Sequence, residues 1–317
     1  VNRSQNAVAW QIQFVALAAT WGASFLFIKV LDKHWPALWV AFGRVALGAA
    51  ALVALVALRK ERLPADRRVW FHCAVLALLF NAVPWTLFAV GEKHTSSIVA
   101  GLWNATTPLW VLVISLSVFG DARPGVARVT GLLLGFGGVA LLLGPWRGFG
   151  GGQLTGQLCC AGAALCYGFG FPYTRRFLAH RPESGVVLAG AQLLWATAML
   201  AVVAPLAGAP STDIGLDGIG SLLVLGAVGS GIAFAMNYAI VRAKGAGTAS
   251  LVTYVIPVFS TVLGVVVLGE ALHWNQPVGT VILLAGVAIS QGRITPRRGT
   301  RVEGAPSAEL GARPARS

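Results

Sequence analysis

Charge is scarce in this chain, and acid is scarcer than base. Only 11% of the 317 residues are Asp, Glu, Lys or Arg, whereas 56% are hydrophobic and the mean hydropathy is +0.73. A soluble domain of this length has too little interior to hide that much apolar surface, so a water-soluble fold is excluded and the solvent is lipid. The four cysteines, Cys73, Cys159, Cys160 and Cys166, fall in apolar stretches with no histidine or carboxylate at a metal-ligand spacing. They read as small packing residues, and no metal is expected. There is no Gly-rich phosphate loop, no Ser/His/Asp set and no zinc helix motif. The histidines at 34, 72, 94, 180 and 273 are scattered over loops and helix ends. Nothing has the form of an active site, so no enzyme and no cofactor is expected. None of the eleven acids falls mid-span; Asp32, Glu92, Asp121 and Glu270 lie at the ends of apolar runs. That absence counts against proton-driven cation export, which needs a titratable carboxylate inside the membrane.

What the chain has instead is length of apolar run. A hydrocarbon layer of about 30 Å takes roughly 20 residues of helix to cross, and such runs recur at roughly 8–28, 37–58, 69–90, 96–118, 127–144, 154–174, 185–206, 218–241, 248–268 and 276–292. The first run follows Arg3 and could pass for a secretory signal, but nine more spans follow and it reads as an uncleaved helix. The expected fold class is all-α integral membrane, with ten transmembrane helices.

The chain also reads twice. Trp21, Gly22, Phe25 and Lys29 return as Tyr167, Gly168, Phe171 and Arg175, each 146 positions later, and Pro108 with Gly120-Asp121 returns as Pro257 with Gly269-Glu270, 149 later. Gly138-Val139 returns as Gly286-Val287. A repeated unit with five spans must sit upside down relative to its twin, an arrangement common among secondary transporters. The expected units are 8–145 (helices one to five) and 153–292 (helices six to ten), followed by a basic disordered cytoplasmic tail, 293–317.

The net charge of +13 would suggest nucleic acid in a soluble protein, but its placement decides otherwise. With a cytoplasmic N-terminus, nineteen of the twenty-four basic residues fall on the cytoplasmic side, leaving Lys29, Lys33, Lys93 and Arg147 opposite and Arg44 within a span. This is the positive-inside rule, so both termini are expected in the cytoplasm, no nucleic acid is expected, and the tail is placed against anionic lipid. The valine at position 1 and the Ala, Gly, Val and Arg bias point to a bacterial gene and hence a plasma membrane.

Glycine and alanine are dense within the spans, as in Gly131 with Gly135 and Gly226 with Ser230, which reads as close helix packing in lipid. Pro108 and Pro257 sit mid-span at equivalent repeat positions, and Pro84 and Pro172 interrupt helices three and six. Each removes a backbone hydrogen bond, which makes Pro108 and Pro257 candidate hinges. Arg44 is the only charge deep within a span. Eight helical residues after Pro36 place it about 12 Å in, where an arginine costs roughly 2.5–3.5 kcal/mol unless paired or facing water. Bracing the bundle, gating, and holding a substrate carboxylate all remain open for it. Its repeat counterpart, Gln192, is neutral, a lopsidedness that suits an anionic or zwitterionic solute.

Taken in order, Trp21-Gly22-Ala23-Ser24-Phe25 with Lys29, Phe42-Gly43-Arg44, and Pro108 with Gly120-Asp121, the last answered by Pro257 with Gly269-Glu270, resemble the drug/metabolite transporter superfamily. More narrowly, they resemble ten-helix proteins with two EamA domains. The resemblance runs from about residue 8 to 292, with Asp121 standing where a Glu is usual. It implies a bundle in which helices one, three, four, six, eight and nine surround a central cavity, five and ten lying outside. Read onto this sequence, the substrate-binding candidates are Trp21, Ser24, Arg44, Trp85, Trp103, Asn104, Tyr167, Asn237, Tyr238, Thr253 and Tyr254. Asn104 and Thr253 both precede their proline by four residues, which should set them face to face. The absence of an acid in helix one departs from the small multidrug-resistance branch. The expected function is a secondary transporter, an exporter or exchanger of small organic metabolites such as amino acids, working as monomer or homodimer. The alternatives are a non-transporting sensor or assembly protein of the same fold and, third, multidrug efflux.

Overall fold

The computed structural model describes residues 3–119, 125–144, 146, 152–244, 249 and 252–290. Gly120, Asp121 and the tail 293–317 lie outside the described residues. Among those described, every regular element is a helix. In chain order they are α1 (Arg3–Leu31), α2 (Ala37–Leu58), α3 (Arg67–His94), α4 (Ser97–Ser117), α5 (Val126–Leu143), α6 (Gln153–Phe177), α7 (Gly185–Ala207), α8 (Gly215–Val241), α9 (Val252–Val266) and α10 (Asn275–Ser290). Seven are long and apolar enough to cross a bilayer, and three shorter apolar stretches, Val129–Leu142, Val252–Val266 and Asn275–Ile289, lie in α5, α9 and α10. Large side chains such as Ile12, Phe71, Leu133, Leu158, Val202 and Val281 point outward and exposed. The chain is therefore a multi-pass membrane protein, with apolar surface outside as well as in.

The loops fix which helix ends meet. At one end, Trp35 Nε1 donates to Ser211 O (2.9 Å), Lys29 Nζ donates to Thr95 O (2.7 Å), and the Trp146 and Trp274 rings stack at 5.8 Å. At the other, Arg181 Nη1 lies 3.2 Å from Asp66 Oδ2, and His72 Nδ1 shares a 2.7 Å hydrogen bond with Tyr173 Oη. α1 ends where Lys29 and Trp35 are. α6 starts at that same end, because Gly152 and Gly156 abut His94 at the end of α3. The two helices run in opposite directions. Matching contacts accompany this: Gly22 of α1 closes on Phe259 of α9, and Gly168 of α6 closes on Trp110 of α4, where an added methyl would come within 2.5 Å of the opposing Cβ in each case.

Glycine sets another close crossing as well. α5 and α10 pack against each other through Gly135, Gly138, Gly279 and Gly286, with a methyl at Gly138 falling 2.5 Å from the Leu283 amide nitrogen. In lipid, where no hydrophobic force drives helices together, such backbone approach supplies the dispersion contacts that do. Asn275 caps the end of α5 by donating to Leu141 O and Leu142 O.

The prolines do not act alike. α4 breaks at Ala105–Thr106, just before Pro108, where Thr106 N and Oγ1 both donate to Trp103 O. Pro257 and Pro172 instead sit inside continuous helices, so the equivalent positions 108 and 257 differ, and Pro172 interrupts nothing. At Pro84 the missing donor is absorbed by a π turn, Leu78–Ala82, so α3 widens rather than stops. A second, longer π segment, Val224–Ile232, widens α8 where Gly226 and Gly231 meet α2.

Candidate functional site

A cavity of about 90 Å³ opens within the bundle, room for several waters or part of a small solute. Every helix except α5 and α10 contributes to its wall. Of the residues expected to bind solute, Trp21, Ser24, Arg44, Trp85, Asn104, Tyr167, Asn237, Tyr238 and Thr253 line it. Asn104 and Thr253 thus share one cavity. Trp103 and Tyr254 do not line it: Trp103 packs among Leu17, Val99 and Ala163, and Tyr254 packs against Leu109 and Leu283 near α10. Each is the immediate neighbour of a lining residue, and successive helical side chains point about 100° apart, so one of each pair must turn away.

Arg44 anchors the site. The π segment of α8 carries Ser230, whose hydroxyl donates to Leu225 O (3.0 Å) and accepts from Arg44 Nε at 2.9 Å. The guanidinium then lies over the Trp85 ring, Cζ 3.7 Å from its centroid. The ring is itself positioned by Nε1 donating to Tyr167 Oη (3.0 Å) and by edge contact with Phe234 at 5.8 Å. Among the described residues, the bond from Nε is the only hydrogen bond Arg44 makes, so its two terminal nitrogens remain available to a ligand. A planar guanidinium held by Nε and by stacking presents those nitrogens as a preformed fork for a carboxylate.

The rest of the lining is aromatic, with polar groups spaced through it. Trp21 meets Phe234 edge-on at 5.9 Å, Phe80 meets Phe171 at 5.0 Å, and Phe25 meets Phe88 at 5.3 Å. Tyr238 Oη donates to Gln192 Oε1 (3.3 Å), and Gln192 Nε2 donates to Asn81 Oδ1 (2.6 Å). Asn237 Oδ1 is buried with no hydrogen-bond donor among the described residues, an acceptor that a solute ammonium or hydroxyl could satisfy. Residue-by-residue reading missed Gln192, Thr174 and the phenylalanines. Gln192 had a signal, its repeat equivalence to Arg44. Phe25 and Phe171 had one too, as repeat equivalents of each other, whereas Phe80, Phe88 and Phe234 had none, since an apolar residue facing a cavity and one facing lipid look alike in sequence.

Glu270, one of the acids at the end of an apolar run, has a structural partner set. Its carboxylate accepts from Ser97 N (2.8 Å), Ser97 Oγ (2.9 Å) and Ile98 N (3.1 Å), capping the start of α4.

The model of the EamA-like transporter family matches this sequence twice, over residues 8–144 and 154–291. The chain belongs to the EamA-like transporter family. It is 27% identical over 285 residues to the inner membrane transporter YedA of Escherichia coli (strain K12), covering 88% of this chain and 89% of that protein. It is 22% identical to the transporter YoaV of Bacillus subtilis, covering 86% and 93%. It is also 25% identical to a WAT1-related chloroplastic protein of Arabidopsis thaliana, covering 84% and 66%. A crystal structure with 25% sequence identity superposes at a TM-score of 0.64, covering 90% of this chain and 98% of the other. This is a membrane transporter of the EamA family.

Proposed function

We propose that the chain is a ten-span secondary transporter, built as two inverted five-helix repeats over 8–145 and 153–292. It exports or exchanges small organic metabolites that carry a carboxylate, amino acids foremost. Arg44 carries the reading: a buried guanidinium, tied at Nε and stacked on Trp85, leaves its terminal nitrogens facing an aromatic cavity. An arginine so placed is expensive in a membrane unless an anion or water completes it. Asn237 and Asn104, which line the same cavity as Arg44, supply acceptors and donors for the rest of a zwitterion. The opposite runs of α1 and α6, with the paired closures of Gly22 and Gly168, support inversion. The basic residues of the loops between α2 and α3 and between α6 and α7 gather at one end, which supports cytoplasmic termini in a bacterial plasma membrane.

The test is counterflow in proteoliposomes preloaded with an amino-acid and metabolite panel, using Arg44→Ala as comparison. Stimulated exchange that the variant loses supports the reading. Exchange unchanged in Arg44→Ala removes Arg44 from binding, and no exchange of any solute by folded protein removes the transport reading.

A further inference from the structure

One turn beyond the Phe25–Phe88 pair, toward the end of the molecule that holds Trp35 and Trp146, lies a group of ionisable side chains that the cavity does not use. Lys29 follows Phe25 by four residues on α1, and Glu92 follows Phe88 by four on α3. Glu92 is completely buried, and both of its carboxyl oxygens lack any hydrogen-bond donor among the described residues. The lysine beside it does not pair with that carboxyl. Its ammonium donates to the backbone carbonyl of Glu92 and to Thr95 O. The oxygens of Asp32, the first residue after α1, are likewise buried without a donor.

The surroundings of Glu92 can be enumerated. From α1 comes Lys29, and from the residue just after it Asp32; from α2, Arg44; from the turn before α10, Glu270; from α6, Cys160. His94 and Lys93 follow it on its own helix, His94 against the start of α6 and Lys93 donating to Trp35 O. Glu270 is spent on capping α4 and Arg44 on Ser230 and Trp85. Gly91 meanwhile holds α3 so close to α6 that an added methyl would lie 3.0 Å from Gly156 O. A carboxylate in such a place would be an unpaired buried anion, the costliest polar state a protein interior can hold, whereas the neutral acid is far cheaper. Asp32 next to it is pushed up to about 7 by desolvation, with Lys93 and then Lys29 pulling the other way.

We propose that Glu92 is a proton-binding site in the closure between the cavity and this end of the molecule, carrying its proton while the closure is shut and releasing it when the closure opens. On opening, the Glu92 O–H bond breaks heterolytically, the proton passes to an entering water, and the electron pair stays on the carboxylate. Lys29 then leaves the carbonyls of Glu92 and Thr95 to pair with that carboxylate. Solute movement through the cavity is thereby linked to protons by a carboxyl that does not touch the solute.

The direct test is infrared absorption spectroscopy of the full chain in lipid vesicles at neutral pH, read as the difference between wild type and variant. It needs no solute and is independent of the transport reading. The expected result is a carbonyl band of a protonated carboxylic acid that persists at neutral pH, is lost in Glu92→Gln and survives in Asp32→Asn. If Glu92→Gln does not fold, Glu92→Asp keeps the carboxyl and should move the band. A wild-type spectrum without such a band at neutral pH, or a band that both Glu92 variants leave unchanged, overturns the proposal. The second arm rests on the transporter reading. Counterflow of any exchanged solute should slow about tenfold per unit of pH on the acid side in the wild type and lose that dependence in Glu92→Gln. Counterflow indifferent to pH in the wild type overturns the linkage, and absence of all exchange with the band present overturns transport alone.

Discussion

Replacing Arg44 with methionine separates a binding arginine from a bracing one, because the two roles put the free energy in different places. Methionine keeps the apolar stem and removes the guanidinium. The fold then loses the stacking on Trp85, about 2 kcal/mol for a desolvated cation on an indole face, and the hydrogen bond to Ser230, about 1.5–3 kcal/mol. It also sheds the cost of keeping a charge at mid-membrane, roughly 2.5–3.5 kcal/mol. These nearly cancel, so the variant should melt within a few degrees of the wild type in detergent. A solute carboxylate would lose a bidentate charged contact of about 3 kcal/mol, weakening binding roughly a hundredfold. The assay pairs a thermal melt with counterflow over a range of solute concentrations, each normalised to folded protein. A large drop in melting temperature with normal exchange per folded molecule would refute the argument and make Arg44 a brace.

Gly138→Leu should prevent α10 from seating on α5, since its first side-chain atom would fall 2.5 Å from the Leu283 backbone, while Gly137→Ala, with nothing within 4 Å, should be silent; yield of monodisperse protein reads both. Glu270→Ala should destabilise the chain by about 1–3 kcal/mol through loss of the charged cap on α4, seen as a lowered melting temperature, and Glu270→Gln by less. Asp66 is held below its usual value of 3.8, first by the Arg68 backbone N–H; desolvation opposes this, and the charge and hydrogen bond of Arg181 add to the lowering. Its contribution to stability is therefore present above pH 3.8 and lost as pH falls through the depressed value, and Asp66→Asn should flatten that acid limb of the melting curve.

Glu92 shows how far position in sequence can mislead. Lying two residues before the end of α3, it reads as an interfacial acid, and on that reading no carboxylate is available inside the membrane. The structure buries it completely, because α3 runs on to His94 and α1 and α6 close over that turn. Pro108 and Pro257 teach the converse. Equal positions in two repeats do not compel equal geometry, because Thr106 offers its hydroxyl to Trp103 O and stabilises a break in α4, while α9 passes through Pro257 unbroken.

The sequence by itself determined the solvent, the all-helical class and the family. These follow from composition, from runs of apolar residues as long as a bilayer is thick, and from Trp21-Gly22 returning at Tyr167-Gly168, all properties of residues taken in order along one chain. Only the tertiary structure decided which face of each helix turns inward, placing Asn104 and not Trp103 in the cavity and bringing Ser230, Trp85 and Gln192 to Arg44's surroundings. In a soluble protein the apolar stripe of a helix marks its inner face. In lipid both faces are apolar, so the rotation of each helix is set by contacts between distant segments: glycines at crossings, π turns at Leu78–Ala82 and Val224–Ile232, and hydrogen bonds spanning 186 positions from Arg44 to Ser230.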